Sequence, residues 1–410
     1  MDKQTVRDVA VRGRRVLLRT DYNVSLRQDE VAEDLRIAAS LPTIRHLQEA
    51  GARIVIASHR GRPGGRPDPA ESNHPLAPHL AARTGAVVRP VPDCVGPEAE
   101  AAVAALEPGE IALLENLRFH PGEEENDQAF ARALSRLGDV FVNDAFGAIH
   151  RAHASIVGVP RFLPAAAGLL VEREVDCLRE VERSPQHPFA LVLGGAKVSD
   201  KLPLLKHLLP AADVVCLGGA IANAVLAAQG VEIRASRASD QDSQEAAKHL
   251  LSAHAHRGDF HLLLPVDVMV APRAGSTEAA RLVPVHEVPD GWAIVDIGPE
   301  TVDAYEGALR GAQTAIWNGP MGVFEHPPFD LGTRAVARIL AQLGSRTVVG
   351  GGETVTAVRE AGWTDRMWHV STGGGATLHL LGGRRLPGLE VLPDRAPNSS
   401  MATPVPRRGR

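Results

Sequence analysis

The chain has 410 residues, of which 44% are hydrophobic, and its formal net charge is −5 at pH 7. A single hydrophobic core rarely extends over so long a chain, so we expect two domains. The negative net charge argues against a general nucleic-acid-binding surface, because binding a phosphate polymer requires a broad basic face. The three cysteines, Cys94, Cys177 and Cys216, contain no CxxC pair and predict neither a disulfide framework nor a zinc site.

The sequence also lacks signals for a membrane. The first fifteen residues have no apolar signal core, and no run of about 18 apolar residues could span a bilayer. We therefore expect a soluble protein of the cytoplasm that binds neither membranes nor nucleic acid.

Four apolar runs in the first half each end in a polar loop, and they cover residues 15–19, 53–57, 111–114 and 140–142. Alternation of such runs with helical patterns predicts a parallel sheet. The carboxyl ends of parallel strands lie at one edge of a sheet, where α/β proteins bind ligands. The polar residues expected at this edge are Asp21, Asn23, Arg36, His59, Arg62, Arg118 and Arg151.

The arginines among them favour an anion site. Guanidinium groups that converge on one pocket suit a small ligand carrying a phosphate and a carboxylate. The alternative is that some of the thirty-nine arginines fall in loops without a role. His150 and His153 flank Arg151, but no third ligand lies at a useful spacing, so donation to a phosphate is favoured over metal binding.

Residues 189–209, FALVLGGAKVSDKLPLLKHLL, predict a strand, a tight glycine turn and a helix. Lys197 and Lys201 stand four residues apart where free backbone N–H groups already favour an anion. The chain has only five lysines, and a flexible ammonium suits a phosphate that moves. The alternative is that both are solvated charges on a helix face.

Helical periodicity over residues 165–182 predicts a helix that connects the two halves. Four strand–glycine–helix units follow, LVLGGAKVSDK, VVCLGGAIANAVL, TVVGGGETVTAV and HVSTGGGATLHLL. Repeated turns of this kind predict a nucleotide-phosphate site lined by backbone N–H groups, although close helix–strand packing also explains glycine there. Glu353, after the first triple glycine, is either a Mg²⁺ ligand or a helix cap.

The motifs closely resemble those of the phosphoglycerate kinase family. The matching segments are RTDYNV, SHRGRP, LLENLRFHPGEEEND, FVNDAFGAIHRAHAS, LGGAKVSDK, LPVDV, DIGPET, WNGPMGVFE, VVGGGET and STGGGATL. They run in the family's order from about residue 5 to about residue 394. WNGPMGVFE and LGGAKVSDK are highly specific.

The resemblance implies an α/β fold with two Rossmann-like three-layer α/β/α domains, mainly parallel sheets and a hinge helix. The expected parts are a glycerate-binding domain (1–167), a hinge helix (168–183), a nucleotide-binding domain (184–383), a segment packing back on the first domain (384–395) and a disordered tail (396–410).

The implied activity is that of EC 2.7.2.3 in glycolysis, the reversible phosphoryl transfer from 1,3-bisphosphoglycerate to ADP that gives 3-phosphoglycerate and ATP. It implies Mg²⁺ as cofactor, closure of the domains during catalysis and a monomer. The seven polar residues of the first half would bind the glycerate. The nucleotide would be bound by Gly195, Lys197, Lys201, Asn318, Glu325, Gly350, Gly351, Gly352, Glu353 and Thr354, with Glu353 also binding the metal. The transferring phosphoryl group would be held by Arg36, Lys197, Gly373 and Gly374.

The sequence departs from the family's pattern at Ser25, Arg60 and Glu353, where the family usually has Pro, Leu and Asp. At Glu353 the extra methylene affects the magnesium geometry but not the charge. A P-loop kinase is disfavoured because GxxxxGK[ST] is absent, and a dinucleotide oxidoreductase because no GxGxxG follows a predicted strand. A non-catalytic nucleotide-binding sensor or scaffold remains the alternative.

Overall fold

The computed structural model describes residues 1–27, 30–238, 241–257, 259–273 and 276–395, so the expected disordered tail lies outside it. The chain forms two compact units. Unit 1 contains residues 1–145, 151–172 and the described residues from 387 onward; unit 2 contains residues 146–150 and 173–386.

Unit 1 is built on a parallel six-stranded sheet. The strands of unit 1 as a whole are β1 (Arg15–Arg19), β2 (Leu26–Arg27), β3 (Glu30–Val31), β4 (Arg53–Ala57), β5 (Val88–Pro90), β6 (Ile111–Leu113), β7 (Val140–Asn143) and β8 (Ala165–Ala167). The sheet order is β5-β6-β4-β1-β7-β8, while β2 and β3 form a separate antiparallel pair. Every pair in the large sheet is parallel, which confirms the predicted sheet type.

The helices of the first half are α1 (Leu35–Glu49), α2 (Leu76–Thr84), α3 (Pro97–Ala104), α4 (Pro121–Glu124), α5 (Gln128–Ser135) and α6 (Leu169–Arg183). The central strands read as continuous apolar runs because helices cover the sheet. Val16 of β1 pairs with Ile54 of β4, and both pack with Ile37 and Ile44 of α1 in one buried cluster. This core fixes the sheet edge at which the predicted glycerate residues follow the strands.

The expected helix over residues 165–182 is wrong at its start. Ala165–Ala167 forms β8, which pairs with β7 and forms an isolated bridge from Ala167 to Thr5. Alanine favours helix, but long-range pairing at the sheet edge overrides that local preference. The helix begins at Leu169, and its role as a hinge stays a prediction.

Unit 2 contains a second parallel six-stranded sheet, with the order β11-β10-β9-β15-β16-β17. The strands are β9 (Phe189–Leu193), β10 (Val214–Leu217), β11 (His261–Leu263), β12 (Asp267–Ala271), β13 (Arg281–Pro284), β14 (Ala293–Ile297), β15 (Thr314–Asn318), β16 (Arg346–Gly350) and β17 (His369–Val370). The remaining helices are α7 (Leu202–Leu208), α8 (Gly219–Ala228), α9 (Gln241–His256), α10 (Pro299–Leu309), α11 (Leu331–Gln342), α12 (Gly352–Glu360), α13 (Gly375–Leu381) and α14 (Pro387–Glu390), the last in unit 1.

The four predicted strand–glycine–helix units are confirmed as β9–α7, β10–α8, β16–α12 and β17–α13. The sequence did not predict the three-stranded antiparallel sheet β13-β12-β14, because its apolar runs look the same as those of parallel strands. None of the described helices has both the length and the apolar character needed to cross a bilayer.

Candidate functional site

Asp21, Asn23 and Arg36 form a connected group beyond the end of β1. Arg36 Nη1 donates to Asp21 Oδ1 (3.2 Å) and to the Asn23 carbonyl (3.0 Å). The amide of Gly61 donates to Asn23 Oδ1 (2.9 Å), which ties this loop to the loop after β4. Arg36 lies in the first turn of α1, so the helix and two strand ends together fix its guanidinium group.

His59 lies just beyond β4 and is 5% exposed. Burial and four nearby positive charges hold the pKa of His59 well below its ordinary value, so the ring is neutral at pH 7. The charges belong to Arg19, Arg118, Arg151 and Arg36. Because all four arginine charges act on the pKa of one imidazole, these arginines lie close together in unit 1. Three of them, Arg36, Arg118 and Arg151, were predicted from the sequence.

Arg19 also determines which nitrogen of His59 carries the proton. Arg19 Nη2 lies 3.2 Å from His59 Nδ1, and a guanidinium can only donate. Nδ1 is therefore the acceptor, and the single ring proton lies on Nε2. A neutral imidazole with Nε2–H can donate a hydrogen bond to an anionic ligand.

Arg118 and Arg62 differ in exposure. Arg118 is buried in a 3₁₀ turn, Leu117–Phe119; its Nη1 donates to the Gly61 carbonyl (2.6 Å) and its Nε lies 3.0 Å from Glu124. Its Nη2 is buried without a hydrogen-bond acceptor among the described residues. Arg62 is exposed on the same glycine- and proline-rich loop as Gly61.

The sequence analysis missed Arg19 and the buried Glu123 as parts of this site. Glu123 accepts from the amide and the hydroxyl of Ser155 (2.9 and 2.6 Å) and lies 3.7 Å from Arg19 Nη2. Arg19 Nε donates to the same hydroxyl (2.7 Å). The available signal was a charged residue closing the apolar run RVLLR, because a buried charge requires a partner.

Unit 2 contains a pocket of about 600 Å³ at the ends of β9, β15, β16 and β17. Nine of the predicted residues line it: Gly195, Lys197, Lys201, Asn318, Gly351, Gly352, Glu353, Thr354 and Gly374. The three others, Glu325, Gly350 and Gly373, are not among its lining residues.

Glycine is required where the strand-end loops approach each other. A Cβ on Gly194 would lie 2.1 Å from the Pro320 carbonyl oxygen, and one on Gly319 would lie 2.3 Å from the Gly194 carbonyl oxygen. Gly319 also has a φ of +97°, which side chains other than glycine rarely adopt. Its amide donates to Thr354 Oγ1 (2.8 Å), which joins this loop to α12. The predicted glycine turns therefore shape the pocket wall by allowing backbone to touch backbone.

The polar groups of the pocket suit an anion. Burial lowers the pKa of Lys201, while the nearby carboxylates of Asp200 and Glu353 act in the opposite direction. Lys197 is exposed at the pocket, and its carbonyl accepts from Lys201 Nζ (3.2 Å). Asn318 Nδ2 is buried without an acceptor among the described residues, so a ligand oxygen could accept its hydrogen bond.

The other three predicted residues lie elsewhere. Glu325 is exposed in the loop after β15, and Gly350 is buried at the end of β16. The Gly373 amide donates to Ser371 Oγ (3.1 Å), and a Cβ there would lie 2.2 Å from the Phe146 ring. In this structure Gly373 therefore supports the loop, and Gly374 faces the pocket.

Several further pocket residues were not predicted, among them the polar Asp200, His379 and Arg384. His379 packs edge-on against His150 with ring centroids 5.1 Å apart. Burial and the Arg384 charge lower the pKa of His379, so its ring is neutral at pH 7. The available signal for His379 was a histidine within the short helix that follows the STGGG motif.

One parallel sheet thus ends in converging arginines and the other in glycine turns, lysines and helix starts. Together these features are those expected of an α/β phosphotransferase.

Comparison with known proteins agrees with this class. The profile of the family "Phosphoglycerate kinase" matches residues 6–384. The phosphoglycerate kinase of Pelotomaculum thermopropionicum is 49% identical over 395 residues, covering 96% of this chain and 100% of that protein. The phosphoglycerate kinase of Thermomicrobium roseum is 50% identical over 393 residues, again covering 96% of this chain and 100% of the relative.

Solved structures show the same fold. The phosphoglycerate kinase of Coxiella burnetii superposes with a TM-score of 0.81 at 37% identity, covering 95% of this chain and 98% of that one. The enzyme of Pyrococcus horikoshii OT3 gives a TM-score of 0.83 at 32% identity, with the same coverage. The chain belongs to the phosphoglycerate kinase family.

Proposed function

We propose that the chain catalyses the reversible transfer of a phosphoryl group from 1,3-bisphosphoglycerate to ADP, giving 3-phosphoglycerate and ATP in glycolysis. The observation that carries this proposal is the group of four arginine charges around the neutral His59 in unit 1. Asp21, Glu123 and Glu124 offset part of this charge, but guanidinium groups gathered at one sheet edge still favour a multiply charged anion.

In unit 1 the glycerate ligand would be held by the predicted residues Asp21, Asn23, Arg36, His59, Arg62, Arg118 and Arg151. The free Nη2 of Arg118 supports this role, as does the Nε2 proton of His59. Arg118 Nη2 has no hydrogen-bond acceptor among the described residues, and both groups are donors that suit carboxylate or phosphate oxygens.

In unit 2 the pocket residues would bind the phosphates of ADP or ATP. Lys201 and Asn318 offer donors from the pocket wall, and the start of α12 adds backbone N–H groups. Glu325, Gly350 and Gly373 would act at its margins or support its loops.

Glu353 fits a magnesium site. Its carboxylate is exposed in the first turn of α12 and lines the pocket beside Lys201. Mg²⁺ is commonly held by one or two carboxylates together with phosphate oxygens and water, so a single carboxylate is sufficient here. When bound, the ion would neutralise charge on the nucleotide phosphates.

For the transfer itself, Arg36 and Lys197 would stabilise the oxygens of the moving phosphoryl group, with the Gly374 amide as a further donor. Phosphoryl transfer depends mainly on positioning and charge stabilisation. The group leaving an acyl phosphate is a carboxylate that needs no proton, so a general acid is not required. As the family resemblance implies, the enzyme would act as a monomer in the cytoplasm.

A single assay separates this enzyme from a nucleotide sensor. Purified protein receives ATP, Mg²⁺ and 3-phosphoglycerate, and ADP release is followed with and without the glycerate. We expect release only in the complete mixture. Binding of both ligands without glycerate-dependent release of ADP would favour the sensor.

A further inference from the structure

Outside both candidate ligand sites, the structure brings together Asp93, Cys94 and His120 in unit 1. One ligand atom from each lies within 4.8 Å of the other two. Asp93 and Cys94 follow β5, and His120 follows the 3₁₀ turn that holds Arg118. Cys94 and His120 are 26 positions apart in the chain, so the sequence spacing did not reveal the cluster.

We propose that these three side chains form a binding site for one divalent metal ion of the Zn²⁺ type, with water as the fourth ligand. A thiolate, an imidazole nitrogen and a carboxylate are the three ligand types that Zn²⁺ takes from proteins. Hard ions such as Mg²⁺ avoid sulfur, so this cluster selects a different class of metal from the Glu353 carboxylate.

The geometry needs a small adjustment to accept the ion. Asp93 Oδ1 and His120 Nε2 are 2.7 Å apart, whereas two ligands on tetrahedral Zn²⁺ lie about 3.3 Å apart, given Zn–ligand distances of about 2.0–2.2 Å. The Asp93 and His120 side chains are 46% and 32% exposed, so they can open by this amount. Cys94 is fully buried and has the least room to move, so the two partly exposed ligands would close on its sulfur from within 4.8 Å.

Neighbouring groups already hold the ligands in place. The His120 ring stacks on Phe130 with centroids 5.2 Å apart, and its backbone amide donates to the Leu117 carbonyl (3.2 Å). The Cys94 amide donates to Asp93 Oδ1 (2.6 Å), which restrains the carboxylate. Such supporting contacts are typical of groups that orient metal ligands. On binding, the Cys94 thiol would release its proton to water and bond to the metal as the thiolate.

Co²⁺ provides a direct test, because a cobalt–thiolate bond gives an intense near-ultraviolet charge-transfer band. The full chain, with its thiols reduced, is titrated with Co²⁺ alone and then with Zn²⁺. We expect a band that saturates at one equivalent of Co²⁺ and is abolished by Zn²⁺. Cobalt at Glu353 would be bound by oxygen and give no thiolate band, so Glu353→Gln should retain the signal.

Matched variants identify the ligands. Cys94→Ser should abolish the band, whereas Cys216→Ser, which alters a buried thiol of unit 2, should keep it. His120→Gln should weaken Co²⁺ binding more than about tenfold, the lower end of what losing even a ligand-supporting group costs. Because His120 is partly exposed, this variant tests the site even if Cys94→Ser fails to fold. No band at ten equivalents of Co²⁺, or a band that survives both substitutions, would overturn the proposal.

Discussion

At the scale of single residues, the properties of His59 come entirely from its surroundings. A histidine in a glycine- and proline-rich loop looks ordinary in sequence, yet burial and four arginine charges keep it neutral. Arg19 then places the proton on Nε2 by donating to Nδ1. The sequence predicted that His59 lies in the site, but it could not predict the protonation state, since Arg19 comes from a different strand.

Lys197→Ala tests the proposed role of a single cation. We expect kcat to fall about 10²–10³-fold, the usual effect of removing one preorganised donor to a transition state. Affinity for ADP should change little, because Lys201 and the glycine turns remain. Steady-state kinetics and calorimetric ADP binding measure the two quantities. Lys206→Ala, which removes an exposed lysine paired with Glu245, is the control, and near-normal turnover by Lys197→Ala would refute the assignment.

Asp144→Asn tests a buried carboxyl at the start of α6. Burial raises the pKa of Asp144 from 3.8 to about 7, and its Oδ1 accepts from the Leu170 amide (2.9 Å). Between these two values the folded protein holds a proton that the unfolded chain lacks, so stability falls as the pH rises from about 4 to 7. In the asparagine variant the free energy of unfolding should no longer fall by the Asp144 contribution, about 2–4 kcal/mol, over this pH range.

Urea unfolding at pH 5 and pH 8 measures the effect as the difference between variant and wild type. Burial also raises the pKa of Asp296, to about 8, so part of the decline should persist in the variant. Equal pH dependence in both proteins would contradict the prediction.

At the scale of secondary structure elements, α6 is tied to the loop before α13 by Glu174. This fully buried carboxylate accepts from His369 Nε2 (2.7 Å), Ser371 Oγ (2.8 Å) and the Thr372 amide (2.7 Å). Burial opposes the charge on His369, but the neighbouring Cys177 and Glu174 outweigh it and raise the pKa of His369 to about 9. The imidazole is therefore protonated at pH 7. Since the same loop leads to Gly373 and Gly374, the pair supports one wall of the unit 2 pocket.

Glu174→Gln should cost about 3–5 kcal/mol of stability at pH 7, because it leaves a buried histidinium without its counter-ion. The contribution of His369 is fully present below its unfolded pKa of about 6.5 and lost as the pH rises through about 9, so the cost should shrink over that range. Urea unfolding at pH 6.5 and pH 9.5 measures this trend. Glu180 lies on the same helix as Glu174 and forms a half-exposed ion pair with Arg346 of β16. Glu180→Gln, which breaks this pair, should lower the stability by at most about 1 kcal/mol. Equal losses of stability in the two variants would contradict the proposed role of the Glu174–His369 pair.

How far the elements could be predicted depended on whether their signals were local. The β9–α7 unit was predicted because an apolar run, two glycines and a helical pattern adjoin in sequence. The β8 strand was not, because only pairing with β7 distinguishes three alanines from a helix start. Likewise a Cβ on Gly168 would lie 2.0 Å from Asp144 Oδ1, and nothing in the sequence near Gly168 indicates that contact.

At the scale of the whole molecule, the proposed function places one ligand on each unit, so the two ligands must approach each other for transfer. We predict bending at both ends of α6 when both are bound, which would also exclude water from the reacting group. X-ray scattering should show a smaller radius of gyration with both ligands together than with either alone. An unchanged radius with both ligands would contradict this mechanism.

Much of the candidate site could be predicted from sequence because its residues follow strand ends in recognisable motifs. Nine of twelve predicted residues of unit 2 line one pocket, and three predicted arginines converge with Arg19 in unit 1. The supporting groups could not be predicted, since Glu123 and Ser155 reach Arg19 only through the fold. Local motifs thus predict the residues proposed to touch ligands better than those that hold them in place.

Residues near both ends of the described part of the chain, 1–27 and 387–395, lie in unit 1. Lys3 forms a bridge with Asp394, the Gln4 amide donates to the Pro393 carbonyl (2.9 Å), and α14 belongs to the same unit. Residues 173–386, almost all of unit 2, are therefore translated before residues 387–395 leave the ribosome. Domains generally fold in order from the N-terminus during synthesis. Here most of unit 1 is synthesised first, but its last segment is synthesised only after unit 2. If a ribosome stalled just before residue 387, the nascent chain would contain all of unit 2, but unit 1 would still lack its C-terminal segment.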